Sequence, residues 1–254
     1  NYQLIPSETT NYSGSSNNLN FNIQLNRRSQ GPDPIFPTSG SDMQLSLRFT
    51  PPYSIFRNID YTNLSTEERF RWLEFYKVRF NAYWYQEIVG KLVIKAGGEF
   101  GILSAYNRNL GVSPFERFYM GGSGLAIGRI DGREIITLRG YKDSTNAGGG
   151  PVDVTPLGGG VAFNKFMMEF RYPITMGNTA KIWALSFLEA GSIWGNTAQF
   201  DPFKLKKSVG VGVRVFMPAF GLLGLDLGYG FDKVNSLSND ISGRQIHFVI
   251  GQQF

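Results

Sequence analysis

Arg139 sits between Leu138 and Gly140-Tyr141 at the end of the stretch 113–141, SPFERFYMGGSGLAIGRIDGREIITLRGY. The chemistry open to it is ion pairing. Aromatics and glycines mixed this densely suit a loop folded back into an interior. Aromatics anchor such a loop, and glycines let its backbone approach a wall closely. Phe115, Phe118 and Tyr119 are the candidate anchors, and Gly121-Gly122 permits a turn rather than binding an anion. An arginine carried inside needs carboxylate partners, because an unpaired buried charge is very costly. Glu169 and Glu189, on the next two strand-like segments, are the two candidates. Arg139 can hold the loop in place and be the functional centre at once.

Other chemistry finds no foothold. GGSGL (121–125) departs from the G-x-S-x-G nucleophile elbow, because Leu125 stands where the last glycine belongs. GGSGLAIG has the wrong spacing and context for a phosphate or dinucleotide loop. His247 is the single histidine and cysteine is absent, which excludes two-histidine mechanisms, His-based metal sites, thiolate sites and disulfides. A Ser-His hydrolase would be the one use for His247, but no activated serine accompanies it, and a structural histidine is the reading kept. The expectation is a protein that is not an enzyme and takes no cofactor or metal.

The elements that must carry these residues are read from period-two alternation. Leu19, Phe21, Ile23 and Leu25 oppose Asn20, Asn22, Gln24 and Asn26. After a Pro/Gly-punctuated turn at 31–42, Met43, Leu45, Leu47 and Phe49 oppose Gln44, Ser46, Arg48 and Thr50. Between this strand and the next, Ser65 and Glu68 fit a capping box and predict a short helix near 66–72. Alternation resumes at 76–84 and, past a turn at 86–90, at 92–102. The segment 105–158 is too long for an ordinary connection and lacks a period, which marks it as functional or disordered. Five further segments follow, near 165–172, 181–192, 208–215, 223–231 and 245–254, and the alternation around Glu189 is the weakest. Glu169, Glu189 and His247 all fall on the polar parity.

Nine strands of this kind, several about ten residues long, can cross a bilayer when tilted. No apolar run reaches the roughly 18–20 residues a spanning helix needs. The average is unremarkable, with 42% apolar residues, because outward and inward faces cancel in a transmembrane barrel. The 31 glycines and 15% aromatics suit close strand contacts and interfacial girdles. A soluble sandwich also alternates, but its core would not accept an opposite face this charged. Short turns at 173–179 and 217–221 alternate with longer polar loops at 195–205 and 232–243, as in outer-membrane barrels. The net charge of +5 is scattered, so nucleic acid is not an expected partner. Residues 1–18 read as a polar loop or the start of a fragment. Asn1 with no signal peptide leads to the expectation of a processed or partial chain.

From residue 19 onward the chain resembles the BamA-type outer-membrane assembly family. The resemblance is carried in order by SPFERFYMGGSG (113–124), LRGY (138–141), MEFRYP (168–173), SFLEAGSIW (186–194), VGVGVRVFMPAFGLLGLDLGYGF (209–231) and IHFVIGQQF (246–254). LRGY and the terminal segment look most like members from Bacteroidota; Leu138 and Tyr141 are mild variants of a V/I-R-G-F/Y motif. The resemblance implies an all-β transmembrane antiparallel barrel of about sixteen strands, with these as its C-terminal nine. Residues 19–254 would be that barrel part, with a lumen-inserted loop at about 105–158. It implies a barrel that folds and inserts client outer-membrane β-barrel proteins, with outer-membrane lipids and accessory lipoproteins as further partners and the outer membrane as location. In the family the loop arginine pairs with acidic residues of the following two strands, here Glu169 and Glu189. A protein-secreting pore and an autotransporter-assembly factor of the same superfamily are the alternatives. The last strand, with Ile246, Phe248, Ile250, Gly251 and Phe254, would form a weakly closed seam, since Gly251 weakens a strand and Gln252 interrupts its apolar stripe.

Overall fold

A computed structural model describes residues 16–57, 59, 61, 63–123, 134–142, 155, 156, 158–232 and 242–251. The chain is all-β with few helical turns. Nine strands form one sheet: β1 (Phe21–Arg28), β2 (Ser39–Phe49), β3 (Tyr76–Val89), β4 (Leu92–Ser104), then β7 (Ala162–Met176), β8 (Lys181–Trp194), β9 (Lys206–Met217), β10 (Gly221–Gly230) and β11 (Gly243–Ile250). Two short strands within the long loop, β5 (Phe118–Met120) and β6 (Glu134–Ile136), pair in parallel as a separate ribbon. In the large sheet every neighbouring pair is antiparallel and follows chain order, with β4 joined directly to β7 across the long loop.

Alternation decides which face each side chain takes, because successive residues of a strand point to opposite sides. On β11 the outward Ile246 is 63% exposed and Phe248 58%, while the inward His247 is 1% and Val249 5%. Val211, Val213, Leu225 and Leu227 are exposed in the same way, so the outer face is a broad apolar band. Among the described residues no helix is long and apolar enough to cross a membrane. The described part of the last strand ends at Ile250. Gly251 lies just past it at φ 120°, rather than inside the strand as the sequence suggested. Phe254, Gln252 and Gln253 fall outside the described residues, as do 1–15.

The strand ends show what sets the turns. β3 and β4 meet at Gly90 and Lys91, both at positive φ (52° and 72°), as a two-residue hairpin with matching twist requires. The turn therefore occupies 90–91, and residues 86–89 belong to the strand. The strand ends joined through 90–91, 177–180 and 218–220 lie at one end of the sheet, and those joined through 50–75, 105–161, 195–205 and 231–242 at the other. In the 50–75 connection Ser65 and Glu68 form the capping box that opens a short helix, Thr66–Arg69, which ends earlier than residue 72.

The connection 29–38 is the exception at the short-turn end. It is not a surface turn. Asp33 accepts the backbone N–H of Ile35 (3.0 Å) and Phe36 (3.3 Å) and closes a local turn that aims Phe36 inward. Phe36 then packs with Val93, Trp183, Leu185, Phe187 and Leu222, and its ring meets Trp183 edge-on at 5.6 Å. Lys181 ties the turn down through Asp33 at 2.7 Å. A segment rooted in β1 and β2 thus touches β8 and β10, so the sheet curls around its inner face. This strap explains the blurred alternation on β8: its inward positions Trp183, Leu185 and Phe187 are apolar because the strap covers them.

Candidate functional site

The long loop folds onto the inner face and builds its own core there. Phe118, Met120, Ile136, Leu138 and Tyr141 are fully buried with Leu103, Val161 and Phe163 of the wall, and Phe115 packs against the cluster. Phe118 meets Phe163 at 4.8 Å and lies under the Lys77 ammonium at 4.4 Å. Tyr119 is buried beside Phe118 on β5. Gly121 and Gly122 take positive φ (143° and 60°), turning the chain so that Gly122 bridges Leu138. Thr155 clasps β5 by accepting from the Met120 N–H at 2.8 Å and donating to its carbonyl at 3.2 Å. Arg48 and Lys77 reach Glu116, while Lys77 and Arg79 reach Glu134 at 2.7 and 2.6 Å. Charges on β2 and β3 therefore hold one side of the loop.

The motif 138–141 forms the other side. The carboxylate of Glu189 accepts the Arg139 backbone N–H at 2.8 Å, its Nε at 2.9 Å and its Nη2 at 2.6 Å. Nη2 also donates to Glu169 at 2.7 Å, and Nη1 to Asp226 at 3.3 Å. The guanidinium lies 3.7 Å over the Phe187 ring, so its flat face is covered as well as its edges. Each acid is further compensated. Arg171 forks onto Glu169, Arg214 onto Asp226 at 2.6 and 2.7 Å, and Lys165 approaches Glu189 at 3.3 Å. Arg139 is 5% exposed and Asp226 0%, so these pairs act with little screening by water. Burial alone would depress the Arg139 guanidinium, but Glu189, Glu169 and Asp226 outweigh it and hold the group above its ordinary value.

Gly140 allows this close approach. It sits at φ 88°, and a Cβ on it would come within 2.8 Å of the Gly230 nitrogen and 2.9 Å of Ser208. From the other side, a Cβ on Gly228 would meet the Gly140 nitrogen at 2.5 Å. The glycine stripe of β10 is the floor on which the loop backbone lies. Tyr141 closes the motif, donating to the Lys207 carbonyl at 2.9 Å, and its backbone bridges Ser242 just before β11.

The structure brings Arg139, Glu169 and Glu189 together, and adds a partner that sequence reasoning missed. Asp226 is the single carboxylate on the inner faces of β9 to β11 among the described residues, a signal that could have flagged it. Lys165, Arg171 and Arg214 complete the cluster from the same inner face. Ile246, Phe248 and Ile250 lie on the outer face of β11, away from the cluster, and Gly251 donates its N–H to the Leu222 carbonyl at 3.0 Å. Between the loop and the strap a polar cavity of about 690 Å³ remains, lined by Arg79, Lys95, Glu99 and Arg171 among others. Every carboxylate of the Arg139 cluster is bonded to arginine or lysine, and no group of three His, Asp or Glu side chains stands ready for a metal among the described residues.

A curled antiparallel sheet, apolar outside, charged inside and filled by an arginine-locked loop, defines the wall of an outer-membrane type β-barrel. The chain belongs to the Omp85 superfamily, whose domain model matches residues 1–254. No curated protein matches its sequence. Among solved structures it is similar in fold to BamA from Haemophilus ducreyi lacking POTRA domains 1–3, with a TM-score of 0.61 and 17% identity over 91% of this chain. The chain spans 41% of that structure's length.

Proposed function

We propose that this chain is the C-terminal nine-strand part of the central barrel in an outer-membrane assembly machinery, within a closed barrel of about sixteen strands. It folds and inserts client β-barrel proteins without enzymatic chemistry, through a lateral seam at β11. The observation that carries this reading is the docking of the Leu138–Tyr141 motif by Arg139 on Glu169, Glu189 and Asp226. That cluster fixes the loop against the strands that lead to β11, one of the two edges of the sheet. An edge strand presents unpaired N–H and C=O groups, which a client strand can pair with by β-augmentation. Client barrel proteins, outer-membrane lipids and accessory lipoproteins are the partners, and the likeness of the 138–141 and terminal segments favours a Bacteroidota-like member. The test is a disulfide between β11 and the first barrel strand of the full-length protein. It should stop client insertion, and reduction should restore it. Insertion at the unlocked rate in the cross-linked barrel would rule the seam out.

The polar cavity of about 690 Å³ beside the loop favours a second reading, a protein-secreting pore of the same superfamily. A pore works through its lumen. It would keep its activity with the seam locked, and would show steady single-channel conductance once Arg139→Ala displaces the loop.

A further inference from the structure

His247 is buried on the inner face of β11 directly opposite Asp226. The Gly140 N–H donates to its Nε2 at 2.9 Å. A backbone N–H can only donate, so Nε2 carries the lone pair and the imidazole acts here as an acceptor. The same tetrapeptide makes a second contact at the start of this strand, where Tyr141 bridges Ser242 just before β11. The motif is thus attached to β8 and β7 by Arg139 and to β11 by Gly140 and Tyr141.

We infer that His247 is a positioning residue that latches the loop motif to the last strand, so that seam opening and loop release are one coupled event. This rests on the proposed seam function. The coupling follows from geometry. Gly140 lies flush on Gly228, Gly230 and Ser208, which holds its backbone in place and leaves its N–H aimed at His247. If β11 bends or tilts to expose its edge, His247 moves with it, and the Gly140 N–H loses its acceptor. That loss opposes the movement. Conversely, a loop that has lifted away removes this restraint on β11. The link is reciprocal, as any coupling between two equilibria must be.

The experiment uses the full-length protein in membranes, with a single cysteine at Lys142 beside the motif and the seam disulfide described above. The rate of maleimide labelling at residue 142 reads loop release. In the parent protein, locking the seam should slow labelling roughly five- to tenfold, the effect of keeping one buried hydrogen bond closed. In His247→Ala the locked and unlocked rates should converge, while His247→Gln, whose amide oxygen can accept in place of Nε2, should retain the difference. If His247→Ala does not assemble, His247→Leu fills the volume without the acceptor and carries the same expectation. Equal rates in the locked and unlocked parent would overturn the coupling. A lock dependence that survives loss of the acceptor would overturn the role of His247. Client insertion measured on the same locked protein reports separately on the seam itself, so failure of the latch and failure of the seam are distinct results.

Discussion

Glu189 binds Arg139 three times, once at the backbone N–H and twice at the guanidinium, so one carboxylate fixes both the path of the loop and the direction of its side chain. Glu169 and Asp226 each receive a single bond from the same arginine. The ranking of partners follows. Arg139→Ala should destabilise loop docking by about 3–5 kcal/mol, because it strands buried carboxylates. Arg139→Lys should not rescue it, since an ammonium cannot fork between three acids or lie flat on Phe187. Double-mutant cycles on barrel unfolding should give a coupling on the order of 2 kcal/mol with Glu189 and less with Asp226. Absence of coupling to Glu189 would remove the basis of the lock.

Gly228→Ala tests the glycine floor without touching a charge. The added methyl meets the Gly140 nitrogen at 2.5 Å, so the motif must lift while β10 itself tolerates alanine. Protease cleavage within the loop should rise with the barrel still assembled. Gly177→Ala, where the nearest atom is 3.5 Å away, is the matched control and should leave cleavage unchanged.

The strap predicts a second stability centre at the short-turn end. Phe36→Ala leaves a hole against Trp183 and Leu185 and should cost about 3–5 kcal/mol in strap docking. Protease accessibility at 31–37 reads it directly. Asp33→Ala should act in the same direction but more weakly, because the Lys181 pair is partly exposed.

The outer face can be mapped with single cysteines, since the chain has none of its own. Cysteines at Val211, Leu225, Phe248 and Ile250 should resist water-soluble maleimide in membranes, whereas those at Asn22 and Gln44 should react. Equal reactivity across both sets would remove the transmembrane assignment.

Glu134 gives a pH dependence. Burial alone would push its carboxyl up, but Lys77 and Arg79 outweigh burial and hold it below its ordinary value. A depressed folded value means that its stabilisation is present above the ordinary glutamate range, about pH 4.3, and is lost as pH falls through the folded value. Loop docking, followed by proteolysis or labelling, should weaken on acidification in that window. Glu134→Gln should be weaker at neutral pH and flatter through the window.

Alternation alone determined the nine strands, which face of each strand turns outward, and the parity that puts Glu169 and Glu189 on the inner face. It could do so because a strand has a fixed period of two and its two faces here meet different surroundings. The Ser65 and Glu68 cap was legible for the same reason, as a local pattern with a local cause. Period two says nothing about which inward residues of distant strands converge. Asp226 joined Arg139, His247 reached Gly140, and Phe36 covered Trp183 only because the sheet curls and two connections fold back across it. Those contacts span long stretches of chain, and tertiary structure alone decided them, since curvature belongs to the whole sheet and to no single strand.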